Sequence, residues 1–145
     1  MVNSKELKPR LLITEDDVEN QKFLQFFLKR YFYVETCDSS DTFYEKINKN
    51  MYDVILMDIS IKGNKNGLEL TRELKSNPNL SKILVVCYTA HAFNKDRINA
   101  LDAGCDAYIS KPTDVYSLLN SLISLLQTKG IQLLRNSSSL GFATS

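Results

Sequence analysis

Unbroken apolar runs and runs of helical period alternate along this chain. Leu11-Leu12-Ile13 follows a charged start and is apolar at every position, the pattern of a strand buried on both faces of a parallel sheet. It stops at Glu15-Asp16-Asp17, after which Leu24, Phe27, Leu28 and Tyr31 recur at helical spacing; the acidic cluster therefore caps a first helix that ends near Tyr31. A weaker strand follows at 33–36. Asp38-Ser39-Ser40-Asp41 supplies capping side chains for a second helix carrying Phe43, Tyr44 and Ile47. Val54-Ile55-Leu56-Met57 is the strongest strand signal, apolar without alternation until it meets Asp58. A Gly-, Asn- and Lys-rich loop at 62–67 leads to a third helix, 68–76, which must stop before Asn77-Pro78 because the residue preceding proline is pushed out of helical angles. The buried-strand pattern returns at 83–87 and ends at Thr89. A fourth helix at 95–103 ends at Gly104, a last strand at 107–109 ends at Lys111-Pro112, and Val115, Leu118, Leu119, Leu122, Ile123 and Leu126 form the apolar stripe of a fifth helix.

Five strand–helix alternations with short connections predict an α/β fold: a doubly wound, five-stranded parallel sheet with helices on both faces. The 145 residues suffice for one core, expected at 8–129, with a tail at 1–7 and a small, polar tail or linker at 130–145. The aromatic group Phe23, Phe26, Phe27, Tyr31, Phe32 and Tyr33 is read as core filling. Charge narrows the functions: 18 Lys+Arg against 17 Asp+Glu leave no general field to hold nucleic acid or an anionic membrane. Cys37, Cys87 and Cys105 are odd in number, lack metal-site spacing and lie in or beside apolar runs, which suits reduced core thiols and a cytoplasmic setting. The densest apolar run is far too short to span a bilayer, and no apolar signal core precedes Arg10.

In an open parallel sheet, ligands bind beyond the carboxyl ends of the strands. Those ends read Glu15-Asp16-Asp17, Asp58, Thr89 and Lys111. Each alone has a plain explanation, since acidic residues before a helix commonly cap it, and Asp17 is read that way. Their coincidence at successive strand ends is not required by capping. Crowded carboxylates repel, and either a raised pKa or a hard divalent cation among them relieves the repulsion; magnesium, or manganese, prefers oxygen ligands of this kind. A cation, a lysine and a hydroxyl together could stabilise a phosphoryl group while Asp58 attacks it.

This constellation closely resembles the receiver domain of two-component response regulators, over about 8–127. Glu15-Asp16 resembles the family's acidic pair, Met57-Asp58 its phosphoacceptor, Thr89-Ala90 its switch hydroxyl and following small residue, and Lys111-Pro112 its lysine and cis proline. Tyr108 stands where the family has its aromatic switch residue, and Asn20-Gln21 is similar to receivers attached to hybrid histidine kinases. The resemblance implies the flavodoxin-like strand order 2-1-3-4-5. It further implies magnesium on Glu15, Asp16, Asp58 and the Ser60 backbone carbonyl, and phosphate flanked by the Ser60 side chain and His91. A histidine kinase or histidine phosphotransfer protein would be the phosphodonor. A downstream partner would be met through the fourth helix, fifth strand and fifth helix, with a homodimer also open to it. The chain departs from the family after the acceptor, where Ile61-Lys62 lacks the usual proline and Gly67 comes one residue late.

Three rivals are weaker. An aspartate-nucleophile phosphatase would want a second aspartate where Ser60 stands. A flavodoxin-type binder would want glycines and hydroxyls where Glu15 and Asp16 would repel phosphate. A degenerate receiver serving only as an interaction module would not need acceptor, acid pair, hydroxyl and lysine together. His91, the one histidine, reads as a surface or hydrogen-bonded residue rather than a metal ligand.

Overall fold

The computed structural model describes residues 8–90, 94–111 and 113–130. Ten elements follow in strict alternation: β1 (Arg10–Thr14), α1 (Val18–Leu28), β2 (Tyr33–Cys37), α2 (Ser40–Lys49), β3 (Val54–Met57), α3 (Gly67–Ser76), β4 (Leu84–Thr89), α4 (Asn94–Asp102), β5 (Ala107–Ser110) and α5 (Val115–Thr128). All strands are parallel in one sheet of order β2-β1-β3-β4-β5. The fold is the doubly wound, flavodoxin-like α/β sheet that the alternation and the resemblance predict. His91, Pro112, the expected tail at 1–7 and all but Gly130 of the expected tail at 130–145 lie outside the described residues.

The central strands are apolar on both faces because both faces are covered. Leu11, Ile13, Val54, Leu56, Val86 and Tyr88 pack against α1 and α5. Their alternating neighbours Leu12, Ile55, Met57, Val85 and Cys87 pack against α2, α3 and α4. The three cysteines are buried free thiols. No helix among the described residues is long and apolar enough to cross a membrane.

Local chemistry sets the helix starts. Asp17 caps α1 by accepting the Asn20 N–H. Reciprocal capping boxes open α2 (Ser39 with Thr42) and α3 (Asn66 with Glu69). Asp114 accepts from Tyr116 and Ser117 at the head of α5.

The aromatic group divides, which corrects the expectation of core filling. Phe32 is buried and Phe27 and Tyr31 are partly buried against the core, but Phe23 and Phe26 are 55% and 64% exposed. Leu24 and Leu28 define the inward line of α1, and at 100° per residue Phe26 points nearly opposite to Leu24.

The long loop after β3 closes on itself. Ile59 and Ile61 are buried, the Gly67 N–H donates to the Ile59 carbonyl at 2.9 Å, and the Ser40 N–H donates to the Lys62 carbonyl at 2.8 Å. Gly63 has φ +115°, and a Cβ there would strike the Ser40 side chain, so the extra residue is absorbed by a turn suited to glycine that docks on the start of α2.

Candidate functional site

Registers explain why four distant segments meet. Thr14 pairs with Met57 and Met57 with Cys87, so β1 and β3 end together, while β4 and β5 run two residues further to the paired Thr89 and Ser110; the next residues on β1, β3 and β5 are Glu15, Asp58 and Lys111, at the same edge of the sheet. The Thr14 hydroxyl locks the first two strands: it donates to the Leu56 carbonyl at 3.2 Å and accepts the Asp58 N–H at 3.0 Å.

The structure brings Glu15, Asp16 and Asp58 together, with one carboxylate oxygen of each within 4.8 Å of the others. Glu15 and Asp58 are buried, 3% and 5% exposed; Asp16 is half-buried. Lys111 reaches this trio from β5, its Nζ 2.7 Å from Glu15 Oε1 and 3.5 Å from Asp58 Oδ2. Burial works against the charged ammonium, but hydrogen bonding to Glu15 and the charges of Asp58 and Glu15 outweigh it, so the Lys111 pKa lies above its ordinary value. The lysine therefore stays a cation throughout the physiological pH range.

Asp58 and Glu15 take further hydrogen bonds. Asp58 Oδ1 accepts from both the N–H and the hydroxyl of Ser60 at 3.0 Å. Glu15 Oε1 accepts from the Asn20 amide at 2.7 Å, Glu15 Oε2 from the Asp17 N–H at 3.1 Å, and the Glu15 carbonyl from Gln21 at 3.0 Å. Asn20 and Gln21 are thus fixtures of the acidic pocket; sequence reading noticed them only through resemblance, though their place one turn into a helix that starts at the acidic cluster was a usable signal.

Thr89 is fully buried at the end of β4, and its carbonyl accepts the Lys111 N–H at 2.8 Å, tying the hydroxyl-bearing strand to the lysine. Tyr108 is partly buried on β5, opposite Cys87. Tyr88, which the sequence reading passed over, places its ring centroid 5.1 Å from Lys111 Nζ.

A doubly wound sheet of this order, with an acidic trio and a lysine at its carboxyl edge, matches the architecture that the receiver-domain resemblance predicts. The family model for the response regulator receiver domain matches residues 11–123, and the chain belongs to that family. Among curated relatives it is 33% identical over 119 residues to the response regulator ArlR of Staphylococcus saprophyticus, covering 81% of this chain and 52% of that protein. It is 34% identical over 132 residues to hybrid signal transduction histidine kinase I of Dictyostelium discoideum, covering 83% of this chain and 8% of the kinase. It thus spans about half of that response regulator and a small part of the kinase. Among solved structures it is similar to the receiver domain of a sensor histidine kinase from Pseudomonas aeruginosa PAO1, described with a magnesium ion coordinated in its active-site cleft (TM-score 0.71, 28% identity, 79% of this chain and 94% of that one).

Proposed function

We propose that residues 8–129 are a cytoplasmic receiver in which Asp58 accepts a phosphoryl group from a phosphohistidine of a histidine kinase or histidine phosphotransfer protein. The observation that carries this reading is the meeting of Glu15, Asp16, Asp58 and Lys111 at one sheet edge. An all-oxygen, three-carboxylate donor set fits a hard divalent cation. Asp16, Asp58 and the Ser60 carbonyl would hold magnesium or manganese, with Glu15 adding negative charge. When bound, the cation offsets the repulsion between the carboxylates and the incoming phosphoryl oxygens.

The chain's own residues do the rest. One Asp58 carboxylate oxygen attacks phosphorus in line; the O–P bond forms as the N–P bond of the donor breaks, and the departing imidazole takes a proton from solvent. Ser60 orients the carboxylate through its two hydrogen bonds to Oδ1. Lys111 moves from its present carboxylate partners to a phosphate oxygen, and the Thr89 hydroxyl donates to another. The added charge of about −1.5 to −2 draws Thr89 toward the phosphate, Tyr108 turns into the space released, and the surface of α4, β5 and α5 changes shape for a downstream partner or a second copy. Turnover of other substrates is no part of this role; the only chemistry is the receiver's own phosphorylation and dephosphorylation.

Intact-mass measurement after incubation with magnesium and acetyl phosphate tests this. One phosphate adduct on the wild type, absent from Asp58→Asn and from a chelated control, is the expected result. No adduct, together with no magnesium binding, would leave an interaction module without phosphoryl chemistry.

A further inference from the structure

Lys111 stands at the end of β5, whereas its partners belong to β1 and β3. In the order β1-β3-β4-β5, with neighbouring strands about 5 Å apart, its side chain must cross β4 to reach Glu15 and Asp58. A lysine stem has four rotatable carbons and no preference for such a crossing. The residue it crosses beside is Tyr88, the penultimate residue of β4, paired in register with Ile109. The Tyr88 side chain is itself fixed: it is 7% exposed and packed in the core face that holds Leu24 and Leu118. Its ring centroid lies 5.1 Å from the ammonium, inside the range of a cation–π contact. Tyr88 and Lys111 also line one cavity with Asn20, the residue that donates to Glu15 Oε1, the same oxygen that Lys111 holds.

Resting on the phosphoacceptor reading above, we propose that Tyr88 is a positioning residue that acts through Lys111, its ring supporting the ammonium as it spans from β5 to the carboxylates on β1 and β3. Without the ring, the stronger pull is from Glu15 at 2.7 Å rather than Asp58 at 3.5 Å, so the cation settles on Glu15 and withdraws from the atom that accepts the phosphoryl group. An aliphatic residue at 88 would fill much of the same core space but offers no electron-rich face. The ring is therefore a requirement of the site, separable from the requirement for an apolar residue in the core.

The test follows phosphorylation by acetyl phosphate with magnesium, read by intact mass against time, in wild type, Tyr88→Phe, Tyr88→Leu and a protein carrying 3,4,5-trifluorophenylalanine in place of Tyr88. Phe keeps the ring face and is expected within about twofold of wild type. Leu should lower the second-order rate constant about threefold to thirtyfold, the range a partly desolvated cation–π contact supplies. Trifluorophenylalanine keeps the shape but weakens the ring face, so it should lower the rate relative to Phe at an unchanged melting temperature; this arm stands even where Tyr88→Leu fails to fold. In a Lys111→Ala background the same replacements should change the residual rate no further. A Tyr88→Leu rate equal to wild type, equal rates for Phe and its fluorinated form, or undiminished losses without Lys111 would each overturn the inference. A wild type that takes no phosphate would instead sink the phosphoacceptor reading, and this inference with it.

Discussion

Asp58→Asn should make the metal-free protein more stable. With one oxygen of each carboxylate within 4.8 Å of the others, Asp58 repels Glu15 and Asp16 by about 3.5 kcal/mol each at an effective dielectric of about 20. It gains about 5 kcal/mol from Lys111 at 3.5 Å on the same scale. Removing its charge therefore relieves about 7 kcal/mol of repulsion and forfeits about 5 kcal/mol of attraction, and solvent screening at half-buried Asp16 brings the net gain to about 1–2 kcal/mol. The asparagine Oδ1 can still accept from Ser60, so no buried hydrogen bond is orphaned. In chelator the melting temperature should rise by about 3–8 °C. Saturating magnesium should invert the order, because it stabilises wild type by about 2.7 kcal/mol at a hundred times its dissociation constant and the mutant far less. Calorimetry of both proteins with and without magnesium reads the result. A mutant that melts at or below wild type in chelator would refute the reasoning, since the acidic trio would then hold no stored repulsion.

Lys111→Ala should shift stability the other way, by about 2–4 kcal/mol, because it leaves buried Glu15 and Asp58 without their cation; it should also leave any phosphorylation uncoupled from the shape change. Urea titration measures the first and spectra with and without acetyl phosphate the second, and normal activation of the mutant would remove the lysine from the mechanism. Asp16→Ala should abolish magnesium binding, and calorimetric titration showing unchanged affinity would place the metal elsewhere. Gly67→Ala should cost about 2–3 kcal/mol, since its Cβ would lie 2.4 Å from the Asp58 carbonyl oxygen and 2.9 Å from the Ile59 Cα; an unchanged urea midpoint would contradict that fit. Burial pushes the Cys37 thiol up to about 12 from an ordinary 9.0. The unfolded chain loses that proton first, so the stabilisation is full below pH 9 and falls by about 1.4 kcal/mol per unit as pH rises toward 12. Cys37→Ala should flatten that limb of an alkaline unfolding curve, and an identical slope would count against the burial argument.

The sheet was readable from sequence because the runs at 11–13, 54–57 and 83–87 are apolar at successive positions, which only a strand covered on both sides tolerates. The site was readable for the same reason, since a strand that ends abruptly at a charge announces which edge the charge occupies. What escaped was whatever depends on direction rather than on pattern. Phe23 and Phe26 fall in a dense aromatic stretch, yet the angle between successive helical residues turns them outward. Tyr88 looks like one more core residue of β4, and its approach to Lys111 appears only when the lysine is seen crossing the strand. The loop after Asp58, without the family's proline, gave no local rule from which the closure of Gly67 onto Ile59 or the docking of Gly63 on Ser40 could be foreseen.

α4 buries Ala100 alone, whereas α5 buries Leu118, Leu119, Leu122, Ile123 and Leu126. At about 1.5–3 kcal/mol for each fully buried aliphatic side chain, α5 is anchored by something near 10 kcal/mol and α4 by about 1 kcal/mol. The exposed Arg72–Asp102 ion pair at 3.7 Å adds little. Turning a two-state population from 1:99 to 99:1 takes about 5.5 kcal/mol, enough to displace the loosely held helix and too little to lift the other. The two helices therefore differ in compliance as a soft and a stiff spring do. A charge added at the strand ends would spend its displacement on the soft one, so mechanical give rather than distance from Asp58 would decide which face of the molecule carries the message.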